Sequence, residues 1–125
     1  MKNKIQSILV LGLGKVGHLV ANLLSKSGFT VTGGDLNTIS DDAYRTINLD
    51  VSRKENLLKE LSGYDAVLSC LPYSFNLEIA KIAHTQGIHY FDLTEDVPTT
   101  QAIKAMGGTA RAVLAPQCGL APGFI

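Results

Sequence analysis

Between residues 12 and 17 the chain reads Gly12-Leu13-Gly14-Lys15-Val16-Gly17, three glycines in G-x-G-x-x-G spacing. A loop of this kind can cradle a pyrophosphate. Gly12 permits a tight turn out of a strand. Gly14 lacks a Cβ that would hold the phosphates away from the backbone, and Gly17 lets the following helix pack close to the sheet. The N–H groups of the helix start then point at the anion, and the helix dipole favours its charge. In a chain with 12 glycines this spacing alone is a weak signal. Its context strengthens it: an apolar run precedes the loop, an amphipathic segment follows, and an acid, Asp35, comes 18 residues after Gly17.

Asp35 falls at the carboxyl end of the second expected strand, where a carboxylate accepts hydrogen bonds from the adenosine ribose hydroxyls. It repels a 2′-phosphate, and no arginine follows within nine residues to receive one. The expected cofactor is therefore NAD rather than NADP. Gly33-Gly34, just before it, implies either close backbone approach or a bulge. Asp50-Val51, after the third strand, either lines an adenine pocket or supplies a helix-capping acid beside Ser52.

Further along, Cys70-Leu71-Pro72-Tyr73-Ser74-Phe75-Asn76 follows the fourth strand and is expected at the topological switch point, facing the first strand. Tyr73 and Asn76 are placed there to meet the nicotinamide side or a substrate. Asp92, ending the fifth strand, lies at the same sheet edge and is either a ligand contact or a cap for the next helix. Cys70 reads as a small buried side chain with nothing adjacent to lower its thiol pKa. His18, His84 and His89 read as structural or solvated. No nucleophile–base–acid set emerges, so the catalytic residues are unknown, and no cluster has metal-ligand spacing.

The elements that must position these residues are legible in the apolar pattern. Ile8 to Leu11 is a continuous apolar run, as in a strand covered on both faces. Val16, Leu19, Val20, Leu23 and Leu24 follow at helical spacing, predicting one buried face, with Gly28 as the stop. Strands are predicted over 29–34, 44–48, 65–69, 88–92 and 112–115. A helix over the fifties is expected to start from a Ser52/Glu55 capping box and to bury Leu57, Leu58 and Leu61. Another is predicted from Ser74 to Gln86, with Gly87 as its stop, and a last one from Pro98 to Gly107-Gly108. Strands alternating with helices indicate a doubly wound α/β Rossmann fold, with six parallel strands in the order 3-2-1-4-5-6.

Composition sets the limits. The 125 residues suit one domain. The 11 basic and 11 acidic side chains balance, without the basic patch of a nucleic-acid binder. Cys70 and Cys118 do not make a disulfide framework. Met1-Lys2-Asn3-Lys4 before an apolar run imitates a signal peptide, but Gln6, Ser7, Gly12, Gly14 and Lys15 break the run. No run approaches a membrane span. A cytoplasmic location is the expectation.

Taken together, the Gly12–Gly17 loop, Asp35, Asp50-Val51, and Leu71-Pro72-Tyr73 through Asn76 carry a resemblance. So do Gly87-Ile88-His89-Tyr90-Phe91-Asp92 and the tail Pro116-Gln117-Cys118-Gly119-Leu120-Ala121-Pro122-Gly123. The chain resembles the amino-terminal nucleotide-binding domain of the saccharopine dehydrogenase family, in particular its lysine 6-dehydrogenase-like members. The resemblance implies an oxidoreductase of lysine metabolism that passes hydride between a nicotinamide and an amino-acid C–N carbon. It implies that Gly12, Gly14, Lys15, Val16, Gly17 and Asp35 bind the dinucleotide, and that Asp50, Val51, Leu71 and Pro72 complete its pocket. Tyr73, Asn76, Asp92 and Cys118 then line the nicotinamide and substrate side. Gln117 stands where lysine-dehydrogenase-like sequences favour an acid. Residues 1–116 are expected to be the Rossmann domain and 117–125 the start of a linker to a substrate domain. The expected partners are a dinucleotide and an amino-acid substrate, with a homodimer allowed, and the 125 residues alone are expected to be inactive. The competing expectation is a standalone Rossmann ligand-sensing domain of the potassium-transport type. An epimerase-like reading is disfavoured because there is no Tyr-x-x-x-Lys pair.

Overall fold

The computed structural model describes residues 5–37, 43–93 and 114–115. Its strands are β1 (Ser7–Leu11), β2 (Thr30–Asp35), β3 (Arg45–Asn48), β4 (Ala66–Ser69), β5 (His89–Asp92) and β6 (Leu114–Ala115). Its helices are α1 (Lys15–Lys26), α2 (Lys54–Leu61) and α3 (Asn76–Gln86), the last entered through a single 3₁₀ turn, Tyr73–Phe75. All strand pairs are parallel, and the order is 3-2-1-4-5-6. The predicted sheet is thus the observed one, with β6 a pairing of two residues only. The helix predicted over 98–107 lies outside the described residues.

Each face of the sheet has its own core. Leu9, Leu11, Val67 and Tyr90 pack beneath α2 and α3, against Leu57, Leu61, Ile79 and Ile82. Ile8, Val10, Val31, Ala66 and Leu68 pack on the other face, with Ala21 of α1 and Tyr44. Successive β1 side chains serve opposite faces, which is why this strand is apolar at every position from Ile8 to Leu11 rather than at alternate ones.

Helix α1 corrects the expected leucine face. Its fully buried residues are Gly17 and Ala21, whereas Val16, Leu19 and Leu23 are 47%, 58% and 55% exposed. Val20 and Leu24 are partly buried. The buried face is rotated by roughly a quarter turn from the apolar stripe, toward the small residues. The cause is at Gly17: a Cβ there would lie 1.7 Å from the Gly12 carbonyl oxygen. Only the glycine edge of the helix can approach the loop, and that contact sets the rotation.

The Ser52/Glu55 capping box does not form either. Helix α2 begins at Lys54 with Arg53 as its N-cap and has no side-chain cap. Ser52 instead donates its hydroxyl to Asp50 Oδ1 at 2.6 Å, and its amide bonds the same oxygen at 3.0 Å. A carboxylate two residues away outcompetes the helix end for this hydroxyl. The stops after α1 and α3 behave as expected: Gly28 (φ +101°) and Gly87 (φ +72°) are left-handed. No helix crosses from β2 to β3 within the residues described. Tyr44 fills the space beside α1, its hydroxyl 2.8 Å from His18 Nδ1, and Ser25 donates to the Ala43 carbonyl.

Candidate functional site

The carboxyl edge of the sheet is built around the turn that leaves β1. Gly12 has φ +89°, a conformation that disfavours any side chain. Its amide donates to the Gly34 carbonyl at 2.9 Å, stitching the loop to β2. A Cβ on Gly12 would meet Leu71 and the Cys70 carbonyl at 3.0–3.1 Å, so the turn is also pressed against the loop after β4. Gly14 differs. Its φ is an ordinary −70° as N-cap of α1, it makes no side-chain cap, and nothing lies within 4 Å of where its Cβ would be. That space is what a phosphate approaching the backbone requires, next to the N–H groups of the first turn. Lys15 and Val16 are exposed at its rim, with no acid in the first turn to repel an anion. Gly17 serves the loop rather than the sheet, since its nearest obstacle is the Gly12 carbonyl.

Asp35 stands where the sequence puts it and does something the sequence did not reveal. Its Oδ2 accepts the amide of Leu13, inside the glycine loop, at 2.7 Å, and its Oδ1 accepts the amide of Asn37 at 3.0 Å. A carboxylate offers about four lone-pair sites, so acceptors remain for two ribose hydroxyls. The residue therefore holds the glycine loop in place and keeps acceptor capacity for a further donor. Gly33-Gly34 resolves as close approach without a bulge. Both pair in continuous register with Val10 and Leu11, and a Cβ on Gly33 would lie 2.7 Å from Leu13 and 2.9 Å from Tyr44.

Beside Asp35 lies a cavity of about 160 Å³ lined by Gly34, Asp35, Leu36, Asn37, Leu49, Val51, Leu71 and Phe75. Its walls are apolar and its mouth carries the carboxylate, which suits a flat heteroaromatic base attached to a ribose. Of the residues expected there, the structure brings Asp35, Val51 and Leu71 together. Leu49 and Phe75 are wall residues that sequence reasoning missed; the apolar period marks Phe75 only as a core position of its helix. Asp50 and Pro72 do not line this cavity. The Asp50 carboxylate is engaged by Ser52, whose hydroxyl and amide hold it below the usual carboxylate range. Two larger hollows, about 420 and 540 Å³, lie at the amino ends of β4 and β5 and between α2 and α3. Neither touches the glycine loop.

The residues expected on the nicotinamide side separate into different settings. Asn76 is fully buried and accepts a hydrogen bond from Ser69 Oγ at 2.6 Å. Asp92 is also fully buried and accepts the Tyr90 hydroxyl at 2.5 Å. Tyr73 sits in the 3₁₀ turn, and Cys118 lies outside the described residues. Burial pushes the Cys70 thiol up to about 11, in keeping with an inert packing role. Among the described residues no group of three or more His, Cys, Asp or Glu side chains is arranged to hold a metal, and no helix is long and apolar enough to cross a membrane.

Comparison with known proteins agrees with this geometry. The family model of the saccharopine dehydrogenase NADP binding domain matches residues 8–115. Apo saccharopine dehydrogenase (L-Glu forming) from Saccharomyces cerevisiae superposes with a TM-score of 0.79 at 25% identity, covering 94% of this chain and 28% of that one. The chain thus spans about a quarter of that enzyme. The TrkA-N domain of the inner membrane protein ybaL from Escherichia coli matches with a TM-score of 0.70 at 15% identity, over 91% of this chain and 90% of that one. A mutant uronate dehydrogenase from Agrobacterium tumefaciens, complexed with NAD, matches with a TM-score of 0.60 at 12% identity, over 73% of this chain and 41% of that one. The last two likenesses show the fold alone. A glycine loop tied to an acid at the end of β2, on a sheet of this order, and a family match across nearly the whole chain lead to one conclusion: this chain belongs to the saccharopine dehydrogenase NADP-binding domain family.

Proposed function

We propose that the chain is the dinucleotide-binding domain of an NAD-dependent oxidoreductase acting at the C–N bond of an amino acid, in the manner of saccharopine and lysine dehydrogenases. The observation that carries this reading is the Asp35 carboxylate, bonded to the glycine loop and standing at the mouth of the apolar cavity. In this reading Lys15, Val16 and Gly17 offer backbone N–H groups to the pyrophosphate, Asp35 takes the ribose, and Val51, Leu71 and Phe75 enclose the base. The bound dinucleotide supplies the hydride acceptor or donor; this domain's own residues bind it, orient it and keep water from its apolar end.

The choice of NAD over the phosphorylated cofactor rests on charge. A 2′-phosphate would meet the Asp35 carboxylate, and residues 36–44 contain no lysine or arginine. Arg45, the next base, pairs with Thr32, whereas Asp35 pairs with Asn48. Three residues of strand place that arginine about 10 Å from Asp35 along β3. In this reading the amino-acid substrate is held by a further domain, the protein works in the cytoplasm, and a homodimer is compatible with it. The 125 residues alone bind cofactor without turning over lysine or saccharopine.

The test is a fluorescence titration with NADH and NADPH, alongside an assay with lysine and saccharopine. NADH binding tighter than NADPH binding supports the reading; the reverse order refutes the cofactor assignment. Turnover by the chain alone refutes the division of labour. The similar extent of the TrkA-N domain favours a second reading, a ligand-sensing regulatory domain. That reading gains if dinucleotide binds but lysine and saccharopine remain unreactive even with the whole protein.

A further inference from the structure

Three polar side chains of β4 and β5, Ser69, Tyr90 and Asp92, and the first residue of α3, Asn76, are buried among apolar neighbours at the carboxyl edge of the sheet. Ser69 and Asp92 are register partners across the two strands. Ser69 is 1% exposed, and Asn76, Tyr90 and Asp92 are fully enclosed. Burying polar groups is unfavourable unless their hydrogen bonds are made. Asn76 Nδ2 is enclosed without a partner among the described residues, so a leucine of similar shape would suit mere packing better. What the asparagine provides is an acceptor for Ser69 Oγ at 2.6 Å. The same hydroxyl oxygen receives the Leu71 amide at 3.4 Å.

One hydroxyl therefore joins the last residue of β4, the second residue of the turn and the first residue of α3. The segment it closes, residues 70–75, contains both Leu71 and Phe75 of the cavity wall. It also contains Cys70, whose carbonyl, with the Leu71 side chain, crowds Gly12. The turn is thus pinned from beneath by Ser69–Asn76 and touches the phosphate loop from the side.

We propose that Ser69 and Asn76 are a positioning pair for the dinucleotide, setting the 70–75 turn so that Leu71 and Phe75 close on the base. This rests on the reading of the edge as a dinucleotide site. The pair touches no ligand and acts through the turn.

The experiment is a double-mutant cycle with Ser69→Ala, Asn76→Leu and the double variant. NADH and ADP-ribose affinities are measured by titration and stability by urea unfolding. Leu61→Ala provides a comparably destabilised control: Leu61 is fully buried in the same core but is the last residue of α2, beside Ser62 at the amino ends of β4 and β5, opposite the edge that carries the turn. Each single variant is expected to weaken NADH about tenfold, with the double variant no worse than either single. The Leu61 control stays within about twofold of the parent, being distant from the site. If Asn76→Leu does not fold, the comparison of Ser69→Ala with the Leu61 control decides between the two outcomes. Parent-like affinity in Ser69→Ala, or an equal loss in the Leu61 control, overturns the pairing alone. If the unmodified chain binds none of NADH, NADPH and ADP-ribose, the reading of the edge falls, and this inference with it.

Discussion

Replacing Asp35 by alanine separates a tie within the fold from an ordinary surface acid. The substitution removes the acceptor of the Leu13 amide, a 2.7 Å charge-assisted bond, and that of Asn37 at 3.0 Å. Asn37 is exposed, so water replaces its partner at little cost. Leu13 is only 4% exposed, and its amide loses the Asp35 acceptor. Losing a hydrogen bond to a charged group and stranding its donor costs about 2 kcal/mol, the lower part of the usual range because Asp35 is half-buried. At roughly 4 °C per kcal/mol for a domain of this size, the melting midpoint of the ligand-free protein should fall by about 8 °C. Asp35→Asn keeps one neutral acceptor and should lose about half as much. NADH titration of the same proteins should show binding weakened at least tenfold in Asp35→Ala, with the gap between NADH and NADPH narrowed. A melting midpoint within about 2 °C of the parent would place Asp35 among ordinary surface residues and refute the tie.

The glycines make a paired prediction. Gly14→Val should leave the melting midpoint within about 2 °C, since nothing occupies the space its Cβ enters, yet abolish NADH binding in titration; retained binding would refute the phosphate loop. Gly17→Ala should fail to give folded protein by circular dichroism, because its Cβ meets the Gly12 carbonyl at 1.7 Å. On α1, Leu19→Lys and Leu23→Lys should each change urea-unfolding stability by less than about 0.5 kcal/mol, whereas Ala21→Leu should cost about 1–3 kcal/mol by overpacking; the opposite ranking would restore the leucine face. With its thiol raised from 9.0 to about 11 by burial, Cys70 in a Cys118→Ser background should be alkylated at pH 8.5 roughly a hundredfold more slowly than in urea. Cys70's contribution to stability is therefore complete below pH 9 and is lost as pH rises through about 11. A native alkylation rate equal to that in urea would contradict this burial.

Periodicity and punctuation carried most of the fold. β1 announces itself as a continuous apolar run because both its faces are covered, and Gly28 and Gly87 mark helix ends because the left-handed conformation disfavours other residues. The G-x-G-x-x-G loop was legible because the left-handed turn at Gly12 and the close approach at Gly17 disfavour other residue types. Other features were hidden by competition. Ser52 has the spacing of a cap but finds a nearer carboxylate in Asp50. Asn76 has the chemistry of a ligand contact, yet the packing of α3 on β4 turns it inward to Ser69.

By itself, then, the sequence determined the strand order, the place of the glycine loop and the acid at the end of β2. These follow from backbone conformation and hydrophobic period, which are properties of short segments. Only the tertiary structure decided which face of α1 is buried, that Asp35 bonds back to Leu13 across 22 residues, and that Phe75 joins Leu71 in one wall. Those outcomes depend on contacts between segments brought together by the sheet, where a single steric limit, the Gly17 approach to the Gly12 carbonyl, outweighs an apolar stripe of three exposed side chains.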